Sequence, residues 1–334
     1  SLYDKRRARE TLAPRSCGNL LQAFQDRPKD WDAWNIDADF ENGATDLLRA
    51  DEVRLVERGP LRAVLRVVRK LGQSTFVQDL TLYAGSRRLD VVTDADWHEK
   101  HVLVKAAVAL PVASDSATFE IPFGAIARPT TRRTPEEKAK FEVPALRWAD
   151  LSDAAGGVSI LNDGKYGYDA KDNVLRLSLL RSPTWPDPHA DEGRHHFVYA
   201  IYPHAGDWKA GGTTRQGYEL NEPLLARAVT PHAGELPAEL GFVALEPENL
   251  VLTAVKKAEA DAGIVVRFYE LAGQRGEATL RFARDPARAA EVDLMENERG
   301  ALAASGRQVR VPFGPYEIKT IKVTFAGGDR ARAN

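Results

Sequence analysis

The sequence predicts an all-β molecule built from packed sandwiches. Three observations carry that reading. Apolar residues recur with period two instead of 3.6, turn formers return about every ten residues, and helical patterning is scarce. Period two places successive side chains on opposite faces of a strand, so that one face can be buried and the other solvated.

The elements follow in order. In "STFVQDLTLYAG" (74–85), Phe76, Leu80 and Leu82 share one face with Gln78, while Asp79 and Thr81 take the other. "RRLDVVTDADW" (87–97) alternates in the same way. "TPEEKAKF" (134–141) and "DPARAAEVDLM" (285–295) are the best short helical patterns. Within 157–188, a strand over 158–161 meets a turn at Asn162-Asp163-Gly164, where positive φ is well tolerated. A return strand near 166–168 and a further strand "VLRLSLLRS" come next, with Lys165, Tyr166 and Tyr168 projecting beside the turn. The closing "YEIKTIKVTF" alternates Ile321, Val323 and Phe325 with Lys322 and Thr324. Prolines interrupt 223–240, which sets a domain boundary near residue 235. Residues 1–235 are expected to form a large sheet-on-sheet domain and 236–330 a smaller sandwich of about six strands. The tail "GGDRARAN" (327–334) reads as disordered.

Composition removes several function classes. Lys+Arg total 46 against Asp+Glu 48, a formal net charge of −2, so no basic footprint for nucleic acid or an anionic membrane exists. The longest apolar stretch, 102–113, is broken by Lys105 and Pro111 and is too short to span a bilayer. Cys17 stands alone, which excludes an internal disulfide and suits a reducing compartment. Residue 1 is Ser and the sole methionine is Met295, so the chain reads as a piece of a longer polypeptide.

The chemistry-bearing text is "TWPDPHADEGRHH" (184–196). His189, Asp191 and His195 have a spacing that could pass for metal ligands. Pro186 and Pro188 force a loop there, and His195 and His196 enter a strand on opposite faces, so a metal site is not expected. Nucleophile-elbow and phosphate-loop patterns are absent; "KAGGTTR" (209–215) lacks the strand–loop–helix setting. Trp31, Trp34, Trp97, Trp148, Trp185 and Trp208 nearly all have charged or polar neighbours. That combination suits sugar surfaces, where rings stack on pyranose C–H faces and polar groups bind hydroxyls. Core packing is the competing account for each ring, least so for Trp185 between two turn formers.

Here the text acquires a resemblance. "ILNDGKYGYD" followed by "LSLLRSPTWPDPHADEGRHHFVYAIYPH" resembles the C-terminal region of α-mannosidases of glycoside hydrolase family 38, in the cytosolic-type branch. Further blocks agree in order: "SLYDKRRARETL", "GNLLQAFQDRPKDWDAWNID", "DWHEKHVLVKAAVALPV", "IPFGAIARPT", "FEVPALRWADLS" and "FGPYEIKTIKV". Leu146, Thr131 and Gly164 depart from the family, which often has His, His and Cys at these places.

The resemblance implies a galactose-mutarotase-like supersandwich over 1–235 and a small β-sandwich over 236–330. It implies the C-terminal, non-catalytic part of a cytoplasmic, retaining exo-α-mannosidase acting on mannose-containing oligosaccharides. The catalytic aspartates and a divalent metal, zinc or cobalt, are implied for an upstream (β/α) domain followed by a helical bundle. No catalytic or metal-binding residue and no cofactor is then expected in this chain. Lys165, Tyr166, Arg181, Trp185 and Asp187 are expected to face a sugar or that neighbouring domain. The alternative is a stand-alone carbohydrate-binding or aldose-epimerase-type supersandwich, with His98, His101 or His195 converging on Asp96 or Glu99.

Overall fold

The computed structural model describes residues 1–326. The expectation for 327–334 lies outside them. The chain divides into two compact units, one of Ser1–Ile121 with Ile126–Leu225, the other of Pro122–Ala125 with Ala226–Asn334. The main division after Leu225 falls inside the proline-bearing connector 223–240.

The first unit holds a nine-stranded and a six-stranded antiparallel sheet. In the larger sheet the strand order runs Gly124–Pro129, Ser116–Ile121, Trp148–Asp153, Gly156–Asn162 and Gly193–His204. It continues through Leu89–Trp97, Ser74–Tyr83, Arg62–Leu71 and the edge strand Glu52–Arg58. The smaller sheet runs Val143–Pro144, Gly167–Lys171, Val174–Arg181, Val102–Ala109, Leu20–Gln25 and Thr45–Asp46. Phe76, Val91 and Trp97 of the first and Leu21, Val104 and Leu175 of the second belong to one hydrophobic core. This is the sandwich the period-two pattern predicts, since each sheet buries its apolar face against the other.

The smaller sheet is buried on its other face too. Phe24 and Leu103 pack with Phe40, whose ring lies edge-on to Phe24 at 5.2 Å. Segment 26–44 is thereby folded over that face. Lys105 sits in the middle of this arrangement with no exposed side-chain surface. Its ammonium binds Asp169 at 2.6 Å and also Glu142, and lies 4.6 Å from the Phe40 ring centre. Asp169 is shared with Arg176 at 2.7 Å, so the buried charges compensate one another.

The second unit pairs a four-stranded sheet (Val243–Glu246, Gly276–Phe282, Gln308–Phe313, Ala304–Ser305) with a five-stranded one. The latter runs Leu250–Lys257, Ile264–Glu270, Ile318–Phe325, Pro286–Val292 and Glu298–Leu302. Val266, Phe268, Leu280, Val309, Ile321 and Val323 form its own core.

Several expectations need correction. Segment 285–295 contains the strand Pro286–Val292, not a helix. Pairing with Ile318–Phe325 on one side and Glu298–Leu302 on the other overrides the helical preference of its alanines, and Ala289, Ala290 and Val292 are buried there. The helix expected over 134–141 is the single turn Pro135–Lys138, opened by a capping box between Thr134 and Glu137. Leu82 is 47% exposed while Thr81 is buried, so the alternation of 74–85 breaks at its end. Tyr168 is fully buried, its hydroxyl accepting from Asn162 Nδ2 at 2.7 Å, and does not project beside the turn.

Candidate functional site

Strand Val174–Arg181 delivers Arg181 to the rim of the sandwich, where the chain turns through 182–192 before strand Gly193–His204. Arg181 forms an ion pair with Asp26 and donates to the carbonyls of Ala33 at 3.0 Å, Asp32 at 2.6 Å and Asn35. A planar guanidinium with several fixed donors suits this task, since three carbonyls of one bend converge on it. The bend is closed by the amides of Trp34 and Asn35, both donating to the Trp31 carbonyl at 2.8 Å. Trp31 takes a φ of 62° to allow it.

Asp32 ties this loop to the next one. Its Oδ2 accepts from the amides of Thr184 at 2.8 Å and Trp185 at 3.1 Å. Burial alone would raise the Asp32 carboxyl, but these amides, together with His101 and Arg181, outweigh it and hold the group below its ordinary value. His101 Nε2 lies 3.0 Å from Thr184 Oγ1, and its Nδ1 faces Asp32 Oδ1 at 3.7 Å. The two loops thus present Trp34 and Trp185 edge-to-face, with ring centres 5.5 Å apart at an interplanar angle of 67°. Trp34 and Trp185 are 67% and 55% exposed, and Trp31 is 68% exposed.

The expected site residues are placed as follows. Trp185 is at the exposed tip, and Asp187 is exposed with its Oδ1 accepting from the His189 amide at 2.9 Å. Arg181 is mostly buried and engaged with the protein's own backbone. Lys165 lies over the Phe197 ring at 4.5 Å; burial lowers its pKa, with Asp191 of the neighbouring loop and Asp163 opposing that. Tyr166 is exposed beside it. No hydrogen bond, ion pair or ring contact among the described residues joins Lys165 or Tyr166 to the Trp34–Trp185 pair. Trp34 is one of the six tryptophans with polar neighbours in the sequence, whereas Asp32 carries no signal there. Nothing in the sequence couples residue 32 to residue 184; the tie is a tertiary contact.

The histidines of 184–196 go to separate partners. His189 Nδ1 is 2.9 Å from Glu192, His195 Nε2 is 2.7 Å from the Asp191 carbonyl, and His196 Nδ1 is 2.8 Å from Asp94. His195 and His196 face Ala95 and Asp94 in the strand register, on opposite faces. Among the described residues no group of three or more His, Cys, Asp or Glu could hold a metal ion, so the residues present do not fit a zinc or cobalt centre. The three histidines named for the epimerase-type alternative have separate surroundings. His98 pairs with Asp96 at 3.1 Å and His101 turns to Thr184, while His195 lines a shallow cleft of ≈ 270 Å³ with Asp94, Asp96 and Arg194. Trp97 and Trp148 are core residues, the latter with its ring centre 5.0 Å from that of Trp208 at a tilt of 33°. Among the described residues no helix is long and apolar enough to cross a membrane.

Comparison with known proteins gives these residues a context. Residues 1–189 match the glycosyl hydrolases family 38 C-terminal domain, and 249–321 match the family's C-terminal beta sandwich domain. The chain is 34% identical over 321 residues to alpha-mannosidase 2C1 of Homo sapiens, covering 94% of this chain and 31% of that protein. It is 32% identical to alpha-mannosidase G of Dictyostelium discoideum, covering 96% of this chain and 30% of that protein. The chain therefore spans about a third of the length of these curated relatives. The crystal structure of an alpha-mannosidase from Enterococcus faecalis V583 superposes with a TM-score of 0.79 at 16% identity, over 96% of this chain and 40% of that one, which shows a shared fold. The strands, the two separate cores and these matches agree: the chain belongs to glycosyl hydrolase family 38 and carries that family's C-terminal β region.

Proposed function

We propose that this chain is the non-catalytic C-terminal part of a retaining exo-α-mannosidase that removes terminal α-mannosides from mannose-containing oligosaccharides in the cytoplasm. The observation that carries the reading is the match to curated α-mannosidases over 94% of this chain but only 31% of the relative. In this reading the acid, nucleophile and divalent metal, zinc or cobalt, belong to an upstream (β/α) domain followed by a helical bundle. Residues 1–235 read as a supersandwich and 236–330 as a small sandwich that support it. Trp185, Asp187, Lys165 and Tyr166 face sugar or that domain, and Arg181 positions the loops between them. A second domain can shape the pocket and bind hydroxyls around an oxocarbenium-like transition state without moving a proton itself.

The test is a hydrolysis assay. The 334-residue chain alone is expected to release no p-nitrophenol from p-nitrophenyl α-mannoside, with or without added zinc or cobalt. The same residues joined to the upstream part are expected to be active. Turnover by the purified chain alone would overturn the assignment.

A further inference from the structure

Three properties meet at Trp34 and Trp185. Each residue is more than half exposed. The rings meet edge-to-face, an arrangement in which the pair itself covers one face of one ring and no other face. The backbone beneath them is pinned, since Arg181 holds the carbonyls of residues 32, 33 and 35 while Asp32 holds the amides of Thr184 and Trp185. Apolar rings left in water and already fixed in place need little further ordering when an occupant arrives.

The surroundings narrow the chemistry of that occupant. Lys29 and Asp30 are exposed in the Trp34 loop, and Asp187 is exposed two residues beyond Trp185. The two loops that carry the rings thus also carry exposed carboxylates and an ammonium. A pyranose fits well: one face carries C–H groups for an indole, and its rim of hydroxyls pairs with carboxylates and an ammonium.

We propose that Trp34 and Trp185 form a stacking platform for a pyranose ring, with the Asp187 carboxylate accepting from its hydroxyls. This deepens the reading of the chain as part of a glycosidase and rests on it. Arg181 and Asp32 are positioning residues in this assignment, and neither touches the sugar.

The experiment titrates the 334-residue chain with methyl α-mannopyranoside and methyl α-glucopyranoside, read by saturation-transfer NMR and by tryptophan emission. Saturable millimolar binding is expected, weakened about tenfold or more in Trp185→Ala and in Trp34→Ala. Asp187→Asn is expected to weaken it by a smaller factor. Should an alanine variant lose its cooperative melting transition, Trp34→Phe and Trp185→Phe take its place, and each is expected to keep part of the affinity. Absence of binding in the native chain, or binding unchanged in folded variants, overturns the platform and assigns the indoles to a protein contact. Equal binding of both glycosides upholds the platform while counting against mannose as the substrate sugar, so the two readings fail separately.

Discussion

The sequence places Arg181 among residues facing a sugar or the neighbouring domain, and the residue type suits either task, because guanidinium groups bind hydroxyls and carboxylates alike. Its donors are instead consumed by Asp26 and by three carbonyls of the 32–35 bend. Asp26 is 1% exposed in its side chain, so removing the guanidinium strands a buried carboxylate together with those carbonyls. Arg181→Ala is therefore expected to cost about 3–5 kcal/mol in urea unfolding. Arg181→Lys should recover only part of this, since a single ammonium cannot span the same acceptors. A loss below about 1 kcal/mol for the alanine variant would show that water replaces the guanidinium without consequence. The exposure of Trp185, by contrast, is legible, because a tryptophan between Thr184 and Pro186 in a proline-rich loop has little core available to it.

At the scale of elements, strands were readable wherever one face is buried and the other wet, as in 87–97 and 318–325. They were obscured where neighbours decide the outcome. The alanines of 286–292 favour helix locally, and two flanking strands make them sheet. The latch between loops 26–37 and 182–192 could not be read at all, because it joins Asp32 to the Thr184 and Trp185 amides across the fold. That latch carries a pH signature. Asp32 holds its proton less readily folded than unfolded, where its value is 3.8, so its contribution is complete above that pH and is lost as pH falls through the lower folded value. Tryptophan emission of the native chain is expected to shift below about pH 4 toward the spectrum that Asp32→Asn shows at neutral pH. Identical acid titrations of the two proteins would remove Asp32 from this role.

For the whole molecule, two cores and a proline-bearing connector mean that the all-β class and the existence of two units follow from patterning. The charge network inside the smaller sheet does not. Lys105 appears in the sequence as a break in an apolar run, and its compensation by Glu142 and Asp169 comes from strands and loops far along the chain. Carboxylate pairs and ligand sets within the chain were equally beyond linear reading, since the geometry needed to judge them exists only in three dimensions.

The complete enclosure of Lys105 makes its amine a recorder of global opening. Surface lysines such as Lys29 react with an acylating reagent at once, whereas Lys105 is reachable only from molecules whose sandwich has come apart. Mass-spectrometric counting of acylated Lys105 over time should therefore return the opening kinetics of the first unit under native conditions, and these should match hydrogen exchange of the strand Val102–Ala109. Prompt acylation would mean that the segment over the Phe40 face lifts by itself, with the sandwich still closed.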